Sequence, residues 1–271
     1  MHTQVRRCHK SSILQKSVPL PVYATCTLML ALFRKEISSF LTSLTGYLVI
    51  VVFLLVNGLF LWVFPTEFNI LDFGYANLDG LFIIAPFVFL FLVPAVTMRS
   101  FAEEKKSGTI EMLLTKPLTD MQIIGAKYLA AVVLVLFSLL PTMVYYISVY
   151  RLGLPPGNLD SGGIWGAYIG LMLLGSCFAA IGLFSSSITD NQILSFVLAV
   201  LLCGFIYAGF EFIYSLALFG PVDLFIKQLG IAAHYSSISR GVIDTRDLVY
   251  FASLIALFLG LTKLVLASRK W

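Results

Sequence analysis

The residues of this chain that could do chemistry are concentrated between Met98 and Lys127, in the stretch MRSFAEEKKSGTIEMLLTKPLTDMQIIGAK. Glu103, Glu104, Lys105 and Lys106 are followed by Ser107-Gly108, and glycine supplies a turn at low steric cost. Thr109 to Thr115 then reads as a short helix, with Ile110, Leu113 and Leu114 on one side and Glu111 on the other. Pro117 stops that helix, and Thr119 with Gln122 has the spacing of a capping box that starts the next one. The chemistry this pattern offers is recognition rather than bond-making. An apolar stripe with no core of its own to enter fits a groove supplied by a partner, which favours docking over a plain connector between helices.

Motifs for bond-making are missing from the sequence. There is no G-x-x-x-x-G-K-[ST] phosphate loop, so nothing cradles nucleotide phosphates, and neither H-E-x-x-H nor G-x-S-x-G occurs. His2, His9 and His234 are scattered, and His234 reads as a solvated loop residue. No C-x-x-C or Cys/His spacing marks a metal site.

The elements that must position the charged stretch are membrane spans. Hydrophobic residues make up 59% of the chain, charged residues 12%, and the mean hydropathy is +0.94, far from a soluble domain. A hydrocarbon core about 30 Å thick needs roughly 20 apolar residues per helix. Spans are therefore expected near Thr45–Phe64, Leu81–Met98, Ile123–Val149, Ile164–Ser187, Gln192–Ile213 and Leu248–Leu266. Lipid offers no water to unpaired backbone groups, and the alternating pattern of a β-barrel is absent. The expected fold is all-α, a polytopic bundle of six transmembrane helices with an interfacial helix before them and a cytoplasmic coupling helix between the second and third.

Lysine and arginine orient the bundle. Arg6, Arg7, Lys10, Lys16, Arg34 and Lys35 precede the first span, Arg99, Lys105, Lys106 and Lys116 follow the second, and Arg269 and Lys270 end the chain. The segment 65–80 has Glu67, Asp72 and Asp79 but no base, and 151–163 has Arg151 alone. Lys227, Arg240 and Arg246 run against the bias, yet the positive-inside rule still places both termini in the cytoplasm. Cys8 and Cys26 then lie inside and Cys177 and Cys203 within spans, so no disulfide framework is expected. Residues 1–28 are basic, carry Pro19 and Pro21 and lack a signal-peptide core. They read as an N-terminal extension from a mis-assigned start, with the membrane domain at 29–271.

From Thr27 to Leu44 the pattern is amphipathic, with Leu28, Leu32, Phe33, Phe40 and Leu44 opposite Arg34, Lys35, Glu36 and Ser39. A helix lying in the interface is favoured over an extension of the first span, because Lys35 and Glu36 are costly deeper down. Leu118-Thr119-Asp120-Met121-Gln122-Ile123 resembles Ile188-Thr189-Asp190-Asn191-Gln192-Ile193, which suggests the same cap before the third and fifth spans. In the fourth span Gly166 and Gly170 form a G-x-x-x-G that reads first as packing within the subunit and second as a dimer face. Glu211, near the end of an apolar run, is either a pathway contact or an interfacial residue at a break before re-entry.

SFAEEKKSGTIEMLLTKPLTDMQIIGAKYLA resembles the cytoplasmic coupling region of ABC-2-type transporter permeases, where E-x-x-x-G-T-x-E precedes a leucine pair and a proline. MLALFRKEISSFLTSLTGYLVIVVFLLVNGLFLW is similar to their connecting helix and first span, and HYSSISRGVIDTRDLVYF resembles the gliding-motility-associated branch. The resemblance implies a permease subunit, itself no enzyme, driven by a separate ABC ATPase that binds ATP and Mg. It implies Glu103, Glu104, Gly108, Thr109, Glu111, Leu113 and Pro117 at the coupling loop, with Ile110, Leu113 and Leu114 as apolar anchors in the ATPase and the acidic residues on its polar groups. A homodimer or a second permease in the bacterial inner membrane completes the expected assembly, with no nucleic acid. A non-transporting anchor that passes ATPase strokes to envelope partners is the alternative. An ion-coupled carrier is disfavoured because no buried paired charges or broken midplane helices are expected.

Overall fold

The computed structural model describes residues 22–72, 76–115, 118–155, 157–216 and 220–268, with side chains from residue 28 onward except Leu114 and Pro221. Among them there are helices and turns and no strand. The first is α1 (Val22–Thr42), which begins earlier than its amphipathic pattern suggests, and α2 (Leu44–Trp62) follows after Ser43, whose hydroxyl accepts from the Gly46 N–H at 3.2 Å. Then come α3 (Asp79–Thr97), α4 (Arg99–Lys106), α5 (Thr109–Leu114), α6 (Asp120–Leu139) and α7 (Met143–Leu152). The chain continues with α8 (Ser161–Ile188), α9 (Gln192–Gly204), α10 (Phe210–Ser215), α11 (Asp223–Gln228), α12 (Ile231–Ile238) and α13 (Thr245–Ala267).

Six of these units are long and apolar enough to cross a membrane: Leu44–Trp62, Asp79–Lys106, Asp120–Leu152, Ser161–Ile188, Gln192–Ser215 and Thr245–Ala267. They coincide with the six expected spans, because a 30 Å slab demands a run of apolar residues that nothing else in the sequence imitates. Burial sorts them into a centre and a rim. The hydrophobic window of α8 is 78% buried inside the protein, against 22% for α2, 22% for the α9 unit and 17% for α13. Accordingly α8 packs against α3, α4, α6, α9, α12 and α13.

Small residues make that central position possible. A Cβ on Gly166 would stand 2.8 Å from Gly241 Cα, so this G-x-x-x-G receives the α12 turn of the same chain. A Cβ on Gly182 would stand 2.0 Å from Thr97 Oγ1, which is inside any real contact distance. At this crossing the second span is broken: α3 stops at Thr97 and α4 resumes at Arg99. Pro94 acts one turn earlier, and the Met98 N–H still donates to its carbonyl at 2.9 Å; the groups that leave the helix ladder are the Phe101 and Ala102 N–H. Ser186 of α8 mends the break. Its Oγ accepts from the Phe101 and Ala102 N–H groups at 2.9 and 3.0 Å and donates to the Met98 carbonyl at 3.0 Å. One hydroxyl thereby uses its full capacity of one donor and two acceptors.

The hexapeptide likeness before α6 and α9 does not extend to their caps. Thr119 caps α6, with the Gln122 side chain accepting from the Thr119 N–H at 2.9 Å, as the spacing predicts. In the second copy α8 runs on to Ile188, Thr189 ends it, and the N-cap of α9 is Asn191, which accepts from the Ile193 N–H. The two starts are thus out of register.

Replacing Gly182 by alanine should lower the stability of the purified protein by about 1–3 kcal/mol, the usual effect of overpacking a fitted contact. Gly260→Ala, where a Cβ would meet nothing within 4 Å, should leave it unchanged or raise it slightly. Thermal unfolding in detergent measures both.

Candidate coupling site

The turn between α4 and α5 is set by one glycine. Gly108 has φ 70° and ψ 2°, the left-handed region, and stands immediately before α5 with open space around it. Ser107 closes α4 by donating to the Glu103 carbonyl at 2.8 Å, and its hydroxyl lies 2.8 Å from that of Thr109. The chain therefore turns over two residues, and α5 packs against α4.

The face that α5 turns inward is its apolar one. Ile110 is 4% and Leu113 8% exposed, and both sit in a cluster with Leu32 of α1, Phe101 of α4, Ile124 of α6 and Leu266 of α13. This corrects the expectation that the stripe needs a partner's groove, because the chain supplies the groove itself. The outward face carries Gly108, Thr109, Glu111, Met112 and Thr115, with Met112 72% exposed. The side chain of Leu114, and Pro117 altogether, lie outside the described residues.

Beneath this knuckle is a buried ion cluster. The ammonium of Lys127, on the second turn of α6, donates to Glu104 Oε1 at 2.8 Å, Glu36 Oε1 at 3.0 Å and the Ser100 carbonyl at 2.8 Å. Those three bonds use all three of its donors, and the Phe101 ring faces the same nitrogen at 5.2 Å. Lys127 and Glu36 are 2% and 7% exposed, while Lys35 approaches both carboxylates at 3.6–3.7 Å from the solvent side. The cluster ties α1, α4 and α6 together. It corrects three expectations. Glu36 lies on the inward side of α1, Glu104 is engaged within the chain rather than offered to a partner, and buried paired charges are present. Glu103 is exposed.

A second tie runs to α8. The side-chain ammonium of Lys105 donates to the Ser187 carbonyl, in the last turn of α8, and Asp190 stands 3.9 Å away. A cation there meets the negative end of the helix dipole. Glu36, Lys105, Lys127 and Ser186 were therefore the structural partners that sequence reasoning missed. Lys127 did carry a signal, since a lysine in the second turn of an apolar span requires a partner.

At the opposite end of the bundle the structure places Glu211 in the first turn of α10, just after a π-helical turn at Phe205–Gly209 that interrupts the fifth span. Glu211 is exposed and lines a cavity of about 600 Å³ together with Asp79, Asp160, Tyr207, Tyr235 and Arg240. It thus sits at a break before re-entering helices and also on a cavity wall. Burial pushes the Tyr235 phenol well above its usual range, and its hydroxyl donates to the Phe82 carbonyl at 2.7 Å. His234 is no solvated loop residue. Its Nδ1 lies 2.6 Å from Asp247 Oδ1, its Nε2 2.9 Å from the Gln228 carbonyl, and its ring stacks on Tyr250 at 4.0 Å.

Removing the ammonium alone should be the most damaging change at this site. Lys127→Met leaves two buried carboxylates facing each other and should cost about 3–5 kcal/mol. Lys35→Met, at a 63% exposed side chain, should cost under about 1 kcal/mol. The triple change Glu36→Gln, Glu104→Gln, Lys127→Met should recover most of the loss, measured by denaturant or thermal unfolding.

Comparison with known proteins bears on what this arrangement serves. The family described as ABC-2 family transporter protein matches residues 67–261, from just after α2 to near the end of α13. No curated protein matches the chain. The match spans the broken second span, the α5 knuckle, the central α8 and the short helices α10–α12, well over half of the sequence, and the chain belongs to the ABC-2 transporter membrane family.

Proposed function

We propose that this chain is the permease subunit of an ATP-driven transporter, and that the exposed face of α5 receives the stroke of a separate ABC ATPase. The observation that carries the reading is the two-sidedness of α5. Its apolar side is fixed in the permease core by Ile110 and Leu113, while Thr109, Glu111 and Met112 project outward from a rigid mount. A push on that face moves α4 directly. Lys127 passes the motion to α1 and α6, and Lys105 with Ser186 passes it to the central α8.

On this reading α5 and both termini face the cytoplasm of a bacterium whose inner membrane holds the bundle, in keeping with the basic residues around α1 and α4. ATP and Mg belong to the ATPase. A second permease, identical or related, supplies the other half of the membrane assembly. Glu103, Glu111, Thr109 and Met112 form the contact, Gly108 sets its angle, and Glu104, Ile110 and Leu113 hold the mount, with Leu114 and Pro117 completing the segment in sequence. Glu211 borders the exit of the pathway at the far end.

The gliding-motility branch, in which the complex does mechanical work on envelope partners instead of moving cargo, rests on the resemblance of residues 234–251. One observation favours it as a second reading. The outer segment is folded, with α11 and α12 tied to the start of α13 through His234 and Asp247, as a surface that contacts other proteins would be.

Glu111→Lys reverses the charge at the contact and should weaken the ATPase by about tenfold or more. Gly108→Pro forces φ near −65° where the turn needs a positive value and should uncouple stimulated ATP turnover while insertion stays intact. A cysteine replacing Met112 should crosslink to the ATPase and one replacing Ile110 should not. Wild-type co-purification and unchanged stimulated turnover in both variants would overturn the proposal.

A further inference from the structure

His234 is held by more acceptors than a neutral ring can serve. Its Nε2 lies 2.9 Å from the Gln228 carbonyl at the end of α11, and its Nδ1 lies 2.6 Å from Oδ1 of Asp247 in the first turn of α13. A carbonyl and a carboxylate only accept, so each contact needs its own proton. A neutral imidazole has a single N–H. Given to the carbonyl, that N–H leaves a nitrogen lone pair facing the carboxylate; given to the carboxylate, it leaves one facing the carbonyl. The arrangement therefore holds one further proton, shared between Nδ1 and Oδ1.

The surroundings make that proton matter. Asp247 is 6% exposed, its Oδ2 is buried without a hydrogen-bond partner, and His234 is its one ion-pair partner among the described residues. Without the proton a carboxylate would be buried against a lone pair, which is costly. Tyr250 of α13 stacks its ring on the imidazole at 4.0 Å, and its hydroxyl is committed to the Leu229 carbonyl at 2.7 Å. Of the other elements around α12, α11 carries the buried Asp223 and also Lys227, whose ammonium lies 4.9 Å over the Tyr214 ring. The π-helical turn and α10 carry Tyr207 and Glu211 and meet Gly230, just before α12, through Ile206 and Phe210. The far end of α12 meets α8 at Gly166 and Gly170.

What this proton fixes is a cavity wall. Ala232, Tyr235 and Ser236 of α12, with Ser239 at its C-cap, line the cavity of about 600 Å³. We propose that His234 and Asp247 form a proton-operated latch on that wall. With the proton bound, two directed bonds pin α12 to the end of α11 and the start of α13. As pH rises and the proton leaves, the contact between Nδ1 and Oδ1 turns repulsive and α12 loosens from α13. The latch therefore stabilises the outer segment at low pH and releases it at high pH. It stands independently of the coupling reading.

Hydrogen exchange of the purified full chain tests this, expressed as protection factors so that the pH dependence of exchange itself cancels. From about pH 5 to about pH 9, a range that brackets the charge change of histidine, wild-type protection over 231–238 should fall about tenfold or more. Asp247→Asn is the discriminating variant. Its amide N–H can donate to a neutral Nδ1, so the tie forms without the extra proton and protection should be nearly flat over the same range. His234→Phe keeps a ring on Tyr250 and removes both bonds, and should be weakly protected at either end. Wild-type protection that stays flat, Asp247→Asn protection that falls as steeply as the wild type's, or full protection in His234→Phe overturns the latch.

Discussion

A buried ammonium cannot be left alone. Lys127 stands in the second turn of a span with its side chain almost wholly enclosed, and an uncompensated charge there costs several kcal/mol. Three acceptors from two other helices answer it, and in doing so they dictate where those helices lie. Glu36 brings α1 down onto α6, and Glu104 with the Ser100 carbonyl brings α4 beside them. Net stability is a poor account of such a cluster, since apolar residues of equal volume would hold these helices as well or better. Its distinctive property is register. A stripe of leucines tolerates a slide of one helix along another, but three directed bonds to one nitrogen do not.

That register matters because of the break at Met98. A continuous helix through the second span would carry any displacement of α4 straight to the far side of the membrane. The Phe101 and Ala102 N–H groups leave the helix ladder there, and Ser186 takes them up sideways, into α8, with three hydrogen bonds at one hydroxyl. Lys105 adds a further tie to the end of the same helix. On the proposed coupling the path from α5 turns at the break and enters the most buried helix of the bundle, which packs against α3, α4, α6, α9, α12 and α13.

Much of this was legible in the residues and some was not, for reasons that differ. The spans were readable because hydropathy over a fixed length is a local property. The Gly108 turn and the Thr119 cap were readable because each rests on neighbours within a few positions. The destination of the α5 stripe was not. Periodicity assigns Ile110 and Leu113 to one face, but the residues they meet, such as Leu32 and Leu266, lie far along the chain in both directions. Glu36 and Lys127 are separated by 91 positions, so amphipathic patterning assigned Glu36 to the wet side of α1 when its partner drew it inward. His234 fails similarly at shorter range, its partner Asp247 being 13 residues on, at the start of another helix. Likeness of sequence also misled where register decided: Thr119 caps a helix, while Thr189 ends one.

The reversal of α5 changes what kind of contact a partner can make. Had the leucine stripe been the binding surface, the interface would be apolar, and apolar interfaces of that kind belong to permanent complexes. With the stripe consumed internally, a partner docked on α5 as proposed would meet a carboxylate, hydroxyls and one methionine. Such a surface favours fast, salt-sensitive, reversible engagement and tolerates small changes in geometry through the flexible thioether. On the proposed coupling, a contact loaded and released once per cycle of hydrolysis would be better served by such a surface than by a sealed one. Stiffness is needed on the side that receives the load, and burying Ile110 and Leu113 within the permease is what provides it.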